Sequence, residues 1–387
     1  MNDVSPRPSV VGVAVSYATD PDRAVAEAVT QIDLAATCFL LVLVPEGLAL
    51  GPLSAALSSR AQGVPAFGCT TAGQITPSGY DSGALLILAF PRRHFRCASL
   101  PFESLSGMSI KAVADEARRH EARFPHTAGW NRLALVFVDG LSKREDVLVS
   151  TLQTALDSVP VFGGSAGNGL SFRETHVLSD GVFRSDAALM LLIETDLDVA
   201  GIGFDHFLPT DTQMVVTAAI PEDRLVLELN GAPAAQEYAR LVGCPVDRLS
   251  PRVFAENPML VRQNHAYHVR AVHGAPGGAA LSFLSAIDDG LILTLGRGRD
   301  IVETLDAGLD VRGAQGRAPD VVLGFDCVLR RLEIEHKHLS DPVSDVFRRR
   351  RVIGFNTYGE QHRGVHVNQT FVGVAFFEAE GRGRELQ

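Results

Sequence analysis

Two stretches of this chain repeat one another, and that repetition constrains its fold more than any other feature. Val64-Pro-Ala-Phe-Gly-Cys-Thr-Thr-Ala-Gly73 and Val159-Pro-Val-Phe-Gly-Gly-Ser-Ala-Gly167 share Val-Pro-x-Phe-Gly, a small residue, a hydroxyl residue and Ala-Gly. The copies lie 95 residues apart. Their flanks match as well. The short apolar runs Phe39–Val44 and Leu133–Val138 read as buried strands. Leu48–Ala61 and Val147–Leu156 have helical spacing, and each copy ends on another apolar run, Ala84–Phe90 or Ala187–Ile193. The pattern predicts an α/β N-terminal domain, residues 10–204, built of two related halves at about 37–90 and 131–194. Beyond Phe204 short strands, an Asn230-Gly231 turn and scattered helices predict an α+β C-terminal domain over 205–377.

Composition narrows the function classes. With 387 residues and 46% hydrophobic residues there is material for more than one core. Lys and Arg number 35 against 45 Asp and Glu, so the net charge is −10. Nucleic acid and anionic membrane surfaces are poor partners for such a chain, because binding them requires neutralising phosphates. The basic run Arg348–Arg351 reads as a solvated helix end. Five scattered cysteines without a CxxC give neither a disulfide framework nor a zinc spacing. The N-terminus lacks a signal-peptide pattern and the apolar runs are too short to span a bilayer, so the expectation is a cytoplasmic protein.

Several motifs carry chemistry only in the right setting. Gly163-Gly164-Ser165-Ala166-Gly167 matches the nucleophile elbow of hydrolases, but the residues after it suit a hairpin and not a helix. It reads as a structural turn, and Cys69 reads as a buried small hydrophobe. The end of the chain is dense in polar groups: Asn356, Tyr358, Glu360, Asn368, Gln369 and Thr370. Such groups must be paired when buried, so they form either a structural network or a ligand pocket.

The Val-Pro-x-Phe-Gly turns, Asn230-Gly-Ala-Pro-Ala234, Tyr267-His-Val-Arg270, Thr357-Tyr-Gly-Glu360 and Asn368-Gln-Thr370 resemble, in order, the FIST family of two-domain sensory proteins. The resemblance spans about residues 10 to 377. Within the family, His206-Phe-Leu-Pro-Thr-Asp211, Gly324-Phe-Asp-Cys-Val-Leu-Arg-Arg331 and Tyr358–Gln361 followed by His366–Phe371 look similar to the bacterial nitric-oxide-sensing haem proteins. That resemblance implies a b-type haem and nitric oxide or another diatomic gas as ligand. It also implies a partner histidine kinase or cyclic-di-GMP enzyme, and no catalysis by the chain itself. It leaves a homo-oligomer open.

An axial ligand needs a neutral imidazole nitrogen in an enclosed apolar place. His206, between Phe204 and Phe207 and close to Pro209, ranks first as the metal ligand, with His366, between Val365 and Val367, as the alternative. His265, His268 and His273 are further candidates, whereas His336 and His338 read as solvated. The competing expectation is a small amino-acid-like metabolite. Tyr358 and Asn368 would then lie in the pocket, and Arg270 or Arg330 would hold the anion.

Overall fold

Strand Thr37–Val44 is apolar and buried along nearly its whole length, so it needs cover on both faces. The computed structural model, which describes residues 9–263 and 266–377, shows how the chain supplies that cover. Strands Gly12–Ser16, Leu85–Pro91, Thr37–Val44 and Ala66–Thr70 lie side by side in that order. Helices Pro21–Val29 and Leu50–Arg60 cover one face and build a core on Val25, Leu53 and Leu57. Asp20 caps the first of these helices, its carboxylate accepting from the Arg23 N–H at 2.8 Å, with Pro21 in the first turn.

The second half repeats the same strand order with Phe95–Glu103, Ala187–Thr195, Asn131–Val138 and Val161–Ser165. Helices Ile110–Arg123 and Glu145–Leu156 cover it. A third copy follows, which the repeated string does not mark. Asp198–Phe204, Phe371–Phe377, Val321–Cys327 and Val352–Thr357 form it in the same order, with helices Ile301–Gly308 and Ser340–Arg350 on its outer face. The inner faces of all three sheets meet in one core around Leu41, Phe67, Phe137, Phe162, Phe325 and Phe355.

The three units close into a ring. Each has a hairpin after its third strand, and each hairpin is added to the sheet of another unit. The hairpin Gln74–Asp81 of the first unit pairs with the third sheet, Ile75 opposite Gly354. Val177–Arg184 pairs with the first sheet, Leu178 opposite Gly68, and Glu360–Val367 with the second, Gln361 opposite Gly163. Backbone bonds repeat the cycle: Ala72 N–H donates to Asn356, Gly167 to Thr70 and Tyr358 to Ser165, at 2.9, 3.0 and 3.3 Å.

The glycine of each repeat is fixed by this geometry. A Cβ at Gly68, Gly163 or Gly354 would stand 2.0, 1.9 or 1.8 Å from a carbonyl oxygen of the neighbouring parallel strand. No other residue fits there.

Residues 207–298 form an inserted β domain between the first strand and first helix of the third unit. Its sheet includes Phe207–Ile220, Leu225–Leu229, Met259–Gln263, Ala266–Arg270, Leu281–Phe283 and Ile292–Gly298, with helix Ala234–Val242 against it. The α/β first part and mixed second part expected from sequence are both present. The third unit divides the chain more finely: its first strand belongs to the first expected domain and the rest to the second.

Candidate functional site

The structural register Val42–Gly68, Val136–Gly163 and Gly324–Gly354 aligns the second strands of the three units. In this alignment Asp326 occupies the position held by Val44 and Val138. The other two units hold valine at this place, whereas here the buried carboxylate meets Arg330, Tyr80 and Asn356. Helix Val328–His336 starts just after it and presents Arg330 one turn later.

Asp326, Arg330, His206 and Glu333 form a buried relay. The Arg330 Nε donates to Asp326 at 2.8 Å, and its Nη1 lies 3.2 Å from His206 Nδ1. His206 Nε2 is 3.0 Å from the Glu333 carboxylate, which accepts from Lys337 Nζ at 2.6 Å. Across the unit boundary the Tyr80 hydroxyl donates to Asp326. Burial acts against the charge of Arg330, but Asp326 and Tyr80 outweigh it and hold its pKa above the ordinary value. Burial outweighs Glu333 at His206 and lowers its pKa, which favours the neutral ring. A neutral His206 accepting from Arg330 and donating to Glu333 has both nitrogens committed. Arg330 Nη2 has no partner.

A second cluster lies where the inserted domain meets the ring. His366, on the third hairpin, is buried, and neither ring nitrogen makes a hydrogen bond of good geometry. Burial pushes its pKa down to about 4, so the imidazole is neutral. Strand Ala266–Arg270 packs against this hairpin, and Arg270 is one of the charges His366 feels. The Arg270 guanidinium pairs with no carboxylate among the described residues, and its Nε has no partner. The Ser285 hydroxyl, next to Leu284 whose backbone faces His366, is also unpartnered. Asn368 Nδ2 is 3.3 Å from the Tyr358 carbonyl, while its Oδ1 has no partner. Gln369 donates to the Ala255 carbonyl at 2.8 Å and leaves Oε1 free. Only a residue without a side chain can stand at 359, because a Cβ there would lie 2.2 Å from the His366 ring and 3.0 Å from Asn368 Nδ2.

Three carboxyls border this cluster. Glu360 accepts from the hydroxyls of Thr357 and Thr370, the latter at 2.6 Å, yet burial still pushes its pKa up to about 8. Glu145 and Asp146 at the start of helix Glu145–Leu156 both receive Arg224 of the inserted domain, at 2.7 and 2.9 Å. Burial nevertheless pushes Glu145 up to about 7.

The residues singled out from sequence therefore fall in different places. His206 and Arg330 belong to the relay, and the Phe207 ring lies against His206 at 4.0 Å between centroids. Arg270, His366 and Asn368 belong to the junction cluster. Tyr358 is beside it, its hydroxyl bonded to the backbone of Asn168, Gly169 and Phe172. Pro209 is exposed on the edge of the inserted sheet, away from both. His265 lies outside the described residues. Ser165 is buried, its hydroxyl accepts from Gln361 Nε2 at 2.9 Å, and no helix follows it. Sequence reasoning missed Asp326, Glu333, Ser285 and Tyr80. Asp326 was visible as a lone carboxylate ending an apolar strand. Ser285 gave no signal.

A b-type haem needs a free imidazole nitrogen beside an apolar space. His206 offers neither nitrogen as it stands. His366 offers both nitrogens in polar surroundings. The apolar space lies elsewhere: a cavity of about 490 Å³ lined by Leu170, Phe172, Val272, His273, Leu329 and Leu332, with His336 also on its wall. No group of three or more His, Cys, Asp or Glu arranged for a metal ion occurs among the described residues.

A ring of three α/β units carries an inserted domain, and unpaired polar groups are buried at their junction. The chain belongs to the FIST family: the FIST N domain matches residues 38–232 and the FIST C domain residues 234–363. FIST domains are sensory modules of signal transduction. No curated protein matches the chain in sequence. A crystal structure of cyanuic acid hydrolase from A. caulinodans aligns with 96% of this chain and 100% of that one, at 11% identity and a TM-score of 0.35. A likeness that weak carries no argument. No helix among the described residues is long and apolar enough to cross a membrane.

Proposed function

We propose that this FIST protein senses a small zwitterionic acid, of the amino-acid type, at the junction cluster. The observation that carries the reading is the half-buried Arg270 guanidinium, whose Nε is buried without a partner and which forms no ion pair with a carboxylate among the described residues. A charge partly stripped of water and left without an ion pair is costly, and an incoming anion removes the cost. Arg270 and Ser285 supply donors for a carboxylate, with the neutral His366 able to donate from one nitrogen. The free oxygens of Asn368 and Gln369 supply acceptors for an ammonium group. Arg330 is the weaker anion partner, because Asp326 already neutralises it.

Thermal unfolding of the purified chain with a panel of amino acids and short carboxylic acids tests the proposal. At least one compound raises Tm, and Arg270→Gln, folded by circular dichroism, loses that rise. A panel without effect, or an equal rise in Arg270→Gln, refutes it.

A second reading is a haem-based nitric oxide sensor, and the apolar cavity beside His273 favours it. His273 is exposed on the wall of that cavity, partial desolvation lowers its pKa, and its ring lies 5.1 Å from that of Phe172. His273 would hold the iron, which supplies the diatomic-gas site when bound. In this reading haem loading gives a Soret band that His273→Ala changes and His206→Ala does not. The opposite result returns the ligand to His206, and a band changed only in His366→Ala moves it there.

A further inference from the structure

The five cysteines are unbridged, and their settings differ. Cys69 and Cys327 are buried, and Cys244 sits near Tyr238 in the inserted domain. Cys38 and Cys97 are half-buried and pack against the same central core from different units of the ring.

Their strands bring them together. The ladder between Thr37–Val44 and Leu85–Pro91 shifts register at Cys38, with Thr37 opposite Pro91 and Phe39 opposite Phe90, so Cys38 is left without a cross-strand partner. Phe39 stacks on Phe90 at 4.4 Å, and Phe90 meets Phe95 edge-on at 5.0 Å. Strands Thr37–Val44 and Phe95–Glu103 therefore meet at this level, where they pack against each other. Cys97 lies two residues beyond Phe95, on the same side of its strand. The two thiols are close enough for Cys97 to influence Cys38 and Cys38 to influence Cys97. Burial pushes the Cys38 thiol up, and Arg92 and Arg96 nearby offset part of that rise.

We propose that Cys38 and Cys97 form a reversible disulfide that staples the first unit of the ring to the second under peroxide. The Cys38 thiolate attacks one peroxide oxygen and breaks the O–O bond; hydroxide leaves, takes up a proton as water, and Cys38 becomes the sulfenic acid. The Cys97 thiol, losing its proton, attacks that sulfur and forms the S–S bond, and a second water leaves. In sum two thiols are oxidised and one peroxide is reduced. The bridge spans two strands already in contact, which suits the short reach of disulfide geometry.

The full chain, treated with hydrogen peroxide, denatured, alkylated and mapped by mass spectrometry, tests this. A Cys38–Cys97 cross-linked peptide with the loss of two hydrogens, reversed by dithiothreitol, is expected, with a higher Tm that dithiothreitol abolishes. In Cys97→Ser, dimedone captures Cys38 as sulfenic acid. Full alkylation of both thiols in the wild type, a bridge to another cysteine, or a stable dimedone adduct on Cys38 with Cys97 free overturns the proposal.

Discussion

Glu360→Gln is the sharpest probe of the buried polar region, because the wild-type carboxyl is held out of water and burial pushes its pKa up to about 8. In the unfolded chain the same group titrates at about 4.3. A raised folded pKa means that its stabilising contribution is complete below the unfolded value and is lost as pH rises through the folded one. His366 and His362 act in the other direction. Both are pushed down to about 4 by burial, so their contribution is complete above about 6.5 and is lost below it. The window from about pH 6.5 to about 8.5 therefore isolates the carboxyl. Over that window the wild type should lose about 2 kcal/mol through Glu360. Glutamine has the same shape, offers an amide to one threonine and an oxygen to the other, and does not ionise. The variant should already be more stable by about 3 kcal/mol at about pH 6.5, where the unfolded carboxyl is ionised and the folded one is not. It should be more stable by about 5 kcal/mol, or about 6 °C in Tm, at the alkaline end, a gain of about 2 kcal/mol across the window. Urea unfolding at several pH values measures both. Glu145, pushed up to about 7, adds a slope of the same sign to both proteins, and the difference between them cancels it. Parallel profiles for the two proteins would refute the argument and show that Glu360 stays charged.

Gly354→Ala should abolish cooperative folding, since its Cβ would stand 1.8 Å from the Gly324 carbonyl oxygen, whereas Gly231→Ala, with nothing within 4 Å, should cost only about 1 kcal/mol through its positive φ; circular dichroism melts compare the two. Arg224→Ala should destabilise by about 3 kcal/mol, because it leaves Glu145 buried beside Asp146 without a cation. Adding Glu145→Gln should recover part of the loss at pH 8, which denaturant titration of the double variant checks.

The first two units were legible because a short string survived in both, and that string serves a local need. The glycine lets two parallel strands meet, and proline enters the strand stiffly. In the third unit the glycine persists as Gly354, but Arg351, with φ of 54°, stands where Pro65 and Pro160 stand in the others. An inserted domain also separates its first strand from its second. A pattern of local residues cannot show a unit broken by such a distance. The site followed the same rule. The polar density at 354–370 was visible because its residues are neighbours in sequence. The partners of His206 were not, since Arg330 and Glu333 lie 124 and 127 residues away. Flanking phenylalanines made His206 look like a free imidazole in an apolar setting, while the chain beyond Val328 delivered a cation and a carboxylate to its two nitrogens.

The closed ring also decides where a signal can arise. Each unit lends a hairpin to another unit, so no unit can shift without breaking two ladders. The inserted domain is held differently: it shares the small apolar contact of Phe207, Leu260 and Val269 with Cys327, Leu329 and Tyr358, and it adds Arg224 to the carboxylates of Glu145 and Asp146. Gln369 also donates to the Ala255 carbonyl and Lys143 pairs with Asp223 across the same joint. The third unit alone has a carboxylate where its two relatives have valine, and that unit also carries the insertion. Arg224 and Arg270 both stand at the joint between the insertion and the ring. A ligand that compensates Arg270 bridges ring and insertion at that joint, and this is the difference between two states that a sensor must create.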